Sequence, residues 1–380
     1  MPEHFVFNYG PRLVSGAGVA ERLVEHLSGQ RILFVTDAGV RGLGLADAAL
    51  EGLRRDGRDV TIFDAVEPDP SRDTVMAAVA AGHGADGVIG FGGGSPMDVA
   101  KLAAYLIGSG DLLDDIWGVG RATGRRLPLT LVPTTAGTGS EATPVTVITV
   151  GGAEKRGVSS AALVPDTALL DPILTIGLPR DATAATGIDA MVHAIEAYTS
   201  ARLKNPMSDL LAREAIGLIA ANLRRACDAP DDLAAREAML RASHLAGVAF
   251  ANAPVAGVHA LAYPLGGHFH LPHGLSNALM LPHVLGHNMG AAMPLYAELG
   301  PLVDPSLARL GTQAAAQGLV EAVRTLSIAV GLPQRLSALG IGRGDLELLA
   351  GEAMKQERLL ANNPCPIDLA DARRIYEAAL

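Results

Sequence analysis

The chain has 380 residues, of which 49% are hydrophobic and 18% are charged. This length fits about two domains, and the apolar fraction allows a sizeable core and excludes wholesale disorder. Thirty basic and forty acidic side chains give a net charge of −10, and no run of Lys or Arg exceeds two residues. Because such an acidic surface repels phosphate backbones, we expect no nucleic-acid partner.

Cysteine use, the N-terminus and hydropathy favour a cytoplasmic protein. Cys227 and Cys365 are too few for a disulfide scaffold, and the sequence has no CxxC metal motif. The first residues lack a charged-then-apolar signal pattern. The apolar segment 246–267 contains Asn252 and two prolines, which favour a buried helical hairpin over a bilayer span. We therefore expect a soluble, cytoplasmic protein without a membrane partner.

The first half of the chain alternates strand and helix patterns. Apolar runs predict strands at 31–36, 59–63, 86–91, 127–132, 145–150 and 167–170, and helical spacing predicts helices at 20–27, 45–54 and 74–81. This alternation indicates crossover units and a mostly parallel sheet. The first half is therefore predicted to be an α/β domain.

From about residue 180 the pattern changes to long helices rich in Ala and Leu. Helices are predicted at 182–199, 206–226, 234–251, 276–287, 319–330 and 368–379. Strand signals nearly disappear in this half. We therefore predict two domains, an α/β domain over residues 1–180 and an all-α domain over residues 181–380.

The sharpest motif of the first half is Gly92-Gly-Gly-Ser-Pro-Met-Asp98, directly after a predicted buried strand. Ser95 suits a helix N-cap, Pro96 suits the first helical position, and Asp98 suits a capping box. The free amides of that helix would face a side-chain-free loop, which allows a pyrophosphate to approach the backbone. Three consecutive glycines exceed what a tight turn needs, so the motif favours phosphate binding without naming a cofactor.

Two further segments suit a nucleotide. The loop 133–141, Pro-Thr-Thr-Ala-Gly-Thr-Gly-Ser-Glu, follows another predicted strand, and its hydroxyls suit ribose or phosphate, although an ordinary polar loop has the same composition. Asp37 closes the strand 31–36, where a carboxylate can accept both ribose hydroxyls and repel a 2′-phosphate. Taken alone, Asp37 is more typical of a helix cap, and only proximity to the glycines would favour the ribose role.

Histidines are concentrated in the second half. Six of the eleven lie between His259 and His287. Asp189 and His193 are four residues apart in a predicted helix, so both project from one face. Such a pair is by itself more often a surface hydrogen bond than half of a metal site. His283, four residues before His287, is interpreted with it as a core or interface histidine.

Four histidines within fifteen residues strengthen the metal hypothesis: His259, His268, His270 and His273. Prolines and glycines interrupt this stretch, so the ligands need not share one helix. One Asp with two or three imidazoles suits Fe²⁺ or Zn²⁺, and the mixed donor set does not choose between them.

In combination these motifs resemble the iron-containing (group III) alcohol dehydrogenases over nearly the whole chain. The matching segments are Gly16-Ala-Gly18, Val35-Thr-Asp37, Gly92 to Asp98, Pro133 to Glu141, Leu163-Val-Pro-Asp166, Leu170-Asp-Pro172, Gly187-Ile-Asp-Ala-Met-Val-His-Ala-Ile-Glu196, Val258-His259, Pro272-His-Gly274, Asn277-Ala278 and Leu281-Pro282. The resemblance implies a Rossmann-like N-terminal domain and an all-α C-terminal domain, an architecture shared with dehydroquinate synthase. It also implies a homodimer or a higher homo-oligomer.

The resemblance also implies the site residues. The metal ligands fall on Asp189, His193, His259 and His273, with Fe²⁺ as the expected metal and Zn²⁺ as the alternative. The cofactor is expected to be NAD, and its contacts fall on Asp37, Gly93, Gly94, Ser95, Asp98, Thr134, Thr135, Thr138 and Lys155. Asp37 is at the position associated with preference for NAD over NADP.

One departure from the family pattern concerns proton transfer. Members commonly have a second histidine one helical turn after the third ligand, where this sequence has Tyr263. A phenol with an ordinary pKa near 10 is a poorer relay at neutral pH than an imidazole. Tyr263 and His270 are therefore the catalytic candidates, with His268 as a further nearby substitute.

The activity implied is metal-dependent, NAD(H)-linked interconversion of an alcohol and an aldehyde or ketone by hydride transfer. One alternative is a maleylacetate-reductase-like reduction of an unsaturated oxo acid, against which stands the complete Asp/His set. Another is a dehydroquinate-synthase-like lyase, which needs basic residues around a sugar phosphate. No Lys or Arg lies between Ala242 and Ala308, which counts against this alternative. A non-enzymatic binding protein is the remaining alternative.

Overall fold

The structure is a computed structural model that describes residues 4–151 and 154–380. Within them the strands are β1 (Arg12–Ser15), β2 (Arg31–Val35), β3 (Asp59–Phe63), β4 (Gly87–Gly92), β5 (Gly118–Val119), β6 (Leu129–Pro133), β7 (Val145–Thr149), β8 (Lys155–Ser159) and β9 (Thr167–Leu170). The α-helices are α1 (Ala38–Gly42), α2 (Asp47–Arg55), α3 (Arg72–Ala81), α4 (Gly94–Ser109), α5 (Arg180–Thr199), α6 (Pro206–Asp228), α7 (Leu233–Asn252), α8 (Gly257–Phe269), α9 (His273–Val303), α10 (Thr312–Ala329), α11 (Leu346–Met354), α12 (Glu357–Leu360) and α13 (Leu369–Ala378). Short 3₁₀ helices cover Val19–His26, Leu113–Asp115, Ser140–Ala142, Ala161–Leu163, Pro172–Thr175, Pro305–Arg309, Leu336–Leu339 and Arg343–Asp345.

The chain separates into an α/β unit and a helical unit. The α/β unit is Tyr9–Ile176, and the helical unit is Gly177–Leu380 with the described residues up to Asn8. The observed division lies four residues before the predicted end of the first domain at residue 180. Residues 1–8 were predicted to belong to the α/β domain, whereas residues 4–8 group with the helices and residues 1–3 lie outside the described part of the chain.

The main sheet has six parallel strands in the order β1-β9-β6-β4-β2-β3. Its central strands are apolar on both faces because helices cover both sides. Leu33 and Val35 of β2 face one hydrophobic core, and Phe34 faces the other, as the alternation of side chains along a strand requires. The predicted fold class, a parallel α/β half followed by a helical half, is confirmed.

A second sheet has three strands in the order β5-β8-β7, with β7 and β8 antiparallel. The run 145–150 was correctly predicted as a strand, but it belongs to this small sheet and not to the parallel one. Strands β1 and β8 were not predicted. Both are short and carry charged residues, so their apolar pattern is too weak to detect.

The helical unit is arranged around α5, whose residues from Gly187 to Thr199 are all buried. A helix that is buried on every side lies at the centre of its unit. Two helix predictions fell short here. The predicted helix 276–287 is part of the 31-residue α9, which continues through Pro282, Pro294 and Pro301. Helix α8 falls largely within the segment 246–267, which was predicted as a buried helical hairpin, but its bounds were not predicted, and Pro264 lies inside it.

The apolar segment that raised the question of a membrane span corresponds to the helix pair α7 and α8. Within the described residues, no single helix is long and apolar enough to cross a membrane. Only this pair, bent by 108° at its break, passes the length and composition test when taken together.

Candidate metal centre and cofactor loops

Two of the predicted ligands project from the central helix α5. Asp189 and His193 are one helical turn apart, and both are buried, with 1% and 4% of their surface exposed. The ring of Phe250, on α7, stacks on His193 with centroids 4.4 Å apart. This apolar neighbour keeps water away from one side of the pair.

The other two predicted ligands lie at the beginnings of consecutive helices. His259 is the third residue of α8, and His273 is the first residue of α9. Gly274 allows α9 to start against α5, because a Cβ at that position would lie 2.5 Å from the carbonyl oxygen of Ala185. The same Cβ would be 3.3 Å from Cβ of Asp189. The contact therefore brings His273 close to Asp189.

The structure brings the four side chains together. One ligand atom from each of Asp189, His193, His259 and His273 lies within 4.8 Å of the other three. Donors of a tetrahedral site with bonds of about 2.1 Å are about 3.4 Å apart, and His273 Nε2 lies 3.6 Å from Asp189 Oδ1. The first three residues are buried, whereas the His273 side chain is 41% exposed. The cluster is therefore closed on one side and accessible on the other.

The charges of the cluster favour a cation. Burial by itself raises the pKa of Asp189, but the neighbouring His193, His273 and His259 and the hydrogen bond from Asn277 together outweigh burial, so this pKa is lowered. The carboxylate is thus charged and buried. A buried charge of this kind requires a partner of opposite sign.

Asn277, one turn after His273, supports the fit of a cation. Its Nδ2 donates to Asp189 Oδ1 at 2.6 Å and lies 3.1 Å from His259 Nε2 and 3.2 Å from His273 Nε2. Three acceptor atoms from three helices thus converge on one electropositive amide group. The Oδ1 atom of Asn277 is buried without a hydrogen-bond partner. This arrangement, together with the mixed oxygen and nitrogen donors, fits a divalent metal such as Fe²⁺ or Zn²⁺.

The two catalytic candidates occupy different positions. Tyr263 is half-buried on α8, and its ring centroid lies 6.5 Å from that of His259 and 5.9 Å from that of His273. His270 is exposed at the end of α8, where its φ of 55° reverses the chain toward α9. The structure thus brings the Tyr263 ring against two of the predicted ligands and leaves His270 facing solvent. Their catalytic roles stay predictions.

The glycine loop lies at the carboxyl end of β4. Helix α4 begins at Gly94, with Gly93 as its N-cap and no side-chain capping bond. The prediction that Ser95 is the N-cap was wrong, because Ser95 already lies inside the first helical turn. The first-turn amides are consequently without a side-chain partner, as an anion site at a helix N-terminus requires.

Asp37 lies beside these glycines. It follows β2, which pairs with β4, so both strands end at the same edge of the sheet. A Cβ on Gly92 would be 3.2 Å from Asp37 Oδ2 and 2.8 Å from Pro96 Cγ, and Gly92 has a φ of 151°. The other carboxylate oxygen, Oδ1, accepts from the N–H of Val40 at 2.9 Å. Asp37 is thus a helix cap and also a neighbour of the glycine loop.

The predicted threonine loop packs against the glycines. The N–H of Thr134 donates to the carbonyl of Gly92 at 2.9 Å. A Cβ on Gly93 would be 3.6 Å from Thr135 Cγ2, and one on Gly94 would be 3.0 Å from Thr138 Cγ2. The hydroxyl of Thr135 is buried without a partner. This free hydroxyl beside a side-chain-free backbone fits a bound dinucleotide.

Asp98 lies inside the α/β unit and does not form the predicted capping box. Its Oδ1 accepts from the Ser140 hydroxyl at 2.6 Å, and its Oδ2 accepts from the Val147 N–H at 2.9 Å. Burial raises its pKa, and the charge of Lys101 offsets part of this effect. Lys101 is fully buried and also donates to Ser140, at 2.8 Å. Together Asp98 and Lys101 fasten the segment after the threonine loop to α4.

Lys155, the predicted ribose contact, begins β8 in the small sheet. Its ammonium group pairs with the carboxylate of Asp69 at 2.5 Å. Asp69 itself has a left-handed backbone conformation, with a φ of 54°. The structure therefore gives Lys155 an acidic partner, and its contact with a cofactor stays a prediction.

Sequence reasoning assigned no role to Asn277 and Glu196, although both fall in segments that match the family. Helical spacing is the signal that could have found them, because Asn277 is four residues after His273 and Glu196 is three residues after His193. Each shares a helix face with a ligand. Glu196 accepts a hydrogen bond from His259 and is considered below.

The chain matches two family models. The model described as iron-containing alcohol dehydrogenase matches residues 10–172, and that of the C-terminal part of the Fe-containing alcohol dehydrogenase family matches residues 183–380. The chain is 42% identical to long-chain-alcohol dehydrogenase 1 of Geobacillus thermodenitrificans, over 96% of this chain and 94% of that protein. It is 33% identical to the NAD-dependent methanol dehydrogenase of Bacillus methanolicus, over 97% and 98%.

The fold of the chain also matches those of solved structures. The crystal structure of 1,3-propanediol oxidoreductase superposes with a TM-score of 0.94 at 37% identity, covering 99% of this chain and 100% of that chain. The resemblance noted from the motifs is thereby confirmed, and so is the prediction of an oxidoreductase of the alcohol dehydrogenase class. The chain belongs to the iron-containing alcohol dehydrogenase family.

Proposed function

We propose that this chain is a metal-dependent, NAD-linked dehydrogenase that interconverts an alcohol with an aldehyde or ketone. The observation that carries the proposal is the convergence of Asp189, His193, His259 and His273, from three helices, within 4.8 Å. Because three imidazoles and one carboxylate all offer lone pairs, the ligand that suits them is a cation.

The residues of the cluster have distinct tasks in this proposal. When bound, a divalent cation would supply Lewis-acid stabilisation of charge on the substrate oxygen, and a nicotinamide would supply the hydride acceptor or donor. Asp189, His193 and His259 are buried and would hold the cation, while Phe250 excludes water. The exposed flank of His273 is where we propose that the substrate approaches.

Tyr263 and His270 are proposed to serve proton transfer. The Tyr263 ring lies next to the rings of His259 and His273, so its hydroxyl can donate a hydrogen bond near the substrate oxygen. His270 is exposed one residue beyond α8, where its imidazole contacts solvent. In this proposal Tyr263 orients the substrate, and His270 carries the proton to solvent.

The cofactor is proposed to bind at the edge of the parallel sheet. The uncapped first turn of α4 would hold the pyrophosphate, and the hydroxyls of Thr134, Thr135 and Thr138 would bind it or the ribose. Asp37, beside Gly92, would accept from the ribose hydroxyls of NAD and repel the extra phosphate of NADP. Lys155 is proposed as a further ribose contact. Asp98 is proposed to act by holding the segment after the threonine loop.

We propose Fe²⁺ as the physiological metal, with Zn²⁺ as the alternative. The name of the family supports iron. The donor set suits both ions, so the choice rests on that name and on metal analysis of the purified protein.

A metal add-back assay tests the proposed function. The protein is stripped with a chelator and assayed with NAD⁺, NADP⁺ and a panel of alcohols, before and after addition of Fe²⁺ or Zn²⁺. We expect NADH formation only with metal.

The His273→Ala variant should lose at least about a hundredfold in turnover. His287→Ala, also on α9 but bonded to the Pro366 carbonyl, is the control. Full activity of the stripped protein would contradict the proposal, and net NADH formation from simple alcohols would exclude the lyase alternative.

We also propose that the protein is a homodimer or a higher homo-oligomer. Strand β1 is an edge of the parallel sheet, and Leu13 within it is 45% exposed. An exposed edge strand is a template for pairing with another chain. Analytical ultracentrifugation of the purified protein tests this proposal, and a monomer at micromolar concentration would contradict it.

A further inference from the structure

We propose that Glu196 is a positioning residue of the metal centre, which fixes both the orientation of the His259 ring and the start of the helix that carries it. The inference rests on the proposed metal site and adds a residue beyond the four ligands. Glu196 is on α5, three residues after His193, and 3% of its surface is exposed. The Glu196 carboxylate is hydrogen-bonded to the ring of His259, one of the four proposed ligands. Glu196 would therefore affect the metal site through His259.

The carboxylate of Glu196 accepts three hydrogen bonds. Its Oε2 lies 2.7 Å from Nδ1 of His259 and 2.9 Å from the backbone nitrogen of Ala256. Its Oε1 lies 2.6 Å from the backbone nitrogen of Val258. All of these atoms are buried, so water could take over these hydrogen bonds only if a cavity opened at residue 196. The geometry thus assigns one carboxylate to three donors around the beginning of α8.

The first consequence concerns the tautomer of His259. A carboxylate only accepts hydrogen bonds, so the proton of a neutral His259 must be on Nδ1. The lone pair is then on Nε2, the atom 3.1 Å from the Asn277 amide where the ligand atoms converge. A metal-binding imidazole needs this arrangement, and partners of its other nitrogen commonly fix it. Glu196 therefore presents the correct nitrogen of His259 to the cation.

The second consequence concerns helix α8. Its N-cap residue is Ala256, which has no side chain able to accept a hydrogen bond. The first amides of a helix lack partners within the helix, and a buried helix start needs acceptors from elsewhere. Glu196 supplies them from α5 to the N–H groups of Ala256 and Val258. The same carboxylate also holds the His259 ring. Glu196 therefore links His259 to α5, the helix that carries Asp189 and His193.

The Glu196→Gln variant separates positioning from stability. An amide offers one acceptor oxygen and one donor nitrogen, so an N–H group would face either the Val258 donor or both the Ala256 and His259 donors. If the amide nitrogen faces His259, the ring must protonate Nε2 and cannot bind a cation in its present orientation. We expect the Kd for Co²⁺, measured by competition with a chelator, to rise about 10–100-fold. We also expect the visible absorption of bound Co²⁺ to change.

Asp171→Asn is the matched control. Asp171 is 2% exposed and accepts from the backbone N–H groups of Gly18, Ala20 and Ile173 in the α/β unit, outside the helical unit that carries the metal ligands. The same change from carboxylate to amide should lower the melting temperature of both variants. Only Glu196→Gln should weaken Co²⁺ binding, and Asp171→Asn should bind Co²⁺ with the Kd of the parent protein.

The outcomes distinguish this inference from the proposed function. A Glu196→Gln protein with the Kd and spectrum of the parent would overturn the positioning role while the metal site stands. A parent protein that binds no Co²⁺ would overturn the metal site itself. If Glu196→Gln does not fold, Glu196→Asp is the second test. It keeps both acceptor oxygens on a side chain that is one methylene shorter. That variant should fold with a raised Kd, and a parent-like Kd would again overturn the inference.

Discussion

Asp37 shows how a single residue can serve the fold and the cofactor at once. One of its oxygens caps α1 through the N–H of Val40, while the other lies beside the position of a Cβ on Gly92. The cap explains why an Asp suits the fold here, and the proximity to the glycine loop is what the ribose role requires. The negative charge is the feature that would discriminate between NAD and NADP.

The Asp37→Ser variant tests the discrimination. Serine can still cap α1, but it removes the charge that would repel a 2′-phosphate. We expect the ratio of kcat/KM for NADP⁺ to that for NAD⁺ to rise at least about tenfold, or ~1.4 kcal/mol. Steady-state kinetics with both cofactors measures this ratio. Asp47→Ser, at an exposed acid on α2, is the control and should leave the ratio unchanged. An unchanged ratio in Asp37→Ser would exclude the proposed role.

Single residues were predictable where spacing and chemistry coincide. Asp189 and His193 are one helical turn apart, so spacing and chemistry pointed to them together with four candidate histidines within residues 259–273. The choice of His259 and His273 among those four came from the resemblance to the family. Asn277 and Glu196 were assigned no role because an amide or a carboxylate inside a helix is common. Their importance follows from what they contact, and those contacts join α5 to helices 60 or more residues away.

Helix α9 depends on a close approach to α5 at its first turn. Gly274 has no Cβ, and the carbonyl of Ala185 occupies the space that a Cβ would need. The adjacent residue is His273, one of the four proposed ligands. Contact between these two helices and the geometry of the metal site are therefore linked through one glycine.

The Gly274→Ala variant tests this link. Its Cβ would begin 2.5 Å from the Ala185 oxygen, so α9 must shift away from α5 and take His273 with it. We expect the free energy of unfolding to fall by about 1–3 kcal/mol. We also expect the Kd for Co²⁺ to rise about tenfold or more. Gly286→Ala, on the same helix with open space around it, should be neutral or stabilise by up to about 1 kcal/mol. Equal Co²⁺ affinities in the two variants would contradict the link.

A second feature of α9 is His283, whose titration should affect stability. Burial, assisted by the charge of Arg324, lowers the pKa of His283 to about 4. The ordinary value is about 6.5 in an unfolded chain. Between these values the unfolded state binds more protons, so stability rises with pH across this window and is lost as pH falls toward 4. The contribution is up to about 3 kcal/mol.

The His283→Gln variant removes this titration. Its unfolding free energy should fall less than that of the parent between pH 7 and pH 4.5, because glutamine does not bind the proton. Urea unfolding at several pH values measures the difference. Parallel pH curves for the two proteins would show that His283 is not the responsible group.

Elements were predictable where one periodicity dominates. The central strands β2, β4 and β6 are continuous apolar runs, and α5 to α7 have long uninterrupted helical patterns, so both sets were found. The bounds of α8 and the first turn of α9 were not predicted because glycines and prolines interrupt the segment. Packing of α8 against α9 and α11, and of α9 against α5, outweighs the local cost of Pro264 and Pro282, and only the folded unit reveals that balance.

At the scale of the whole molecule, the chemistry is divided between the two units. The α/β unit contains the glycine and threonine loops with Asp37, and the helical unit contains all four proposed ligands. Composition and alternation predicted a boundary at residue 180, and the α/β unit ends at Ile176. Residues 4–8 group with the helices, and a segment this short carries no pattern that indicates which core it joins.

The most direct measurement is a crystal structure of the protein loaded with Fe²⁺, with anomalous differences collected on either side of the iron absorption edge. We predict one strong peak at about 2.0–2.3 Å from a carboxylate oxygen of Asp189 and from a ring nitrogen of each of the three histidines. We also predict NAD-linked alcohol oxidation by the same preparation in solution. An active preparation whose iron lies elsewhere, or touches fewer than three of these side chains, would contradict it.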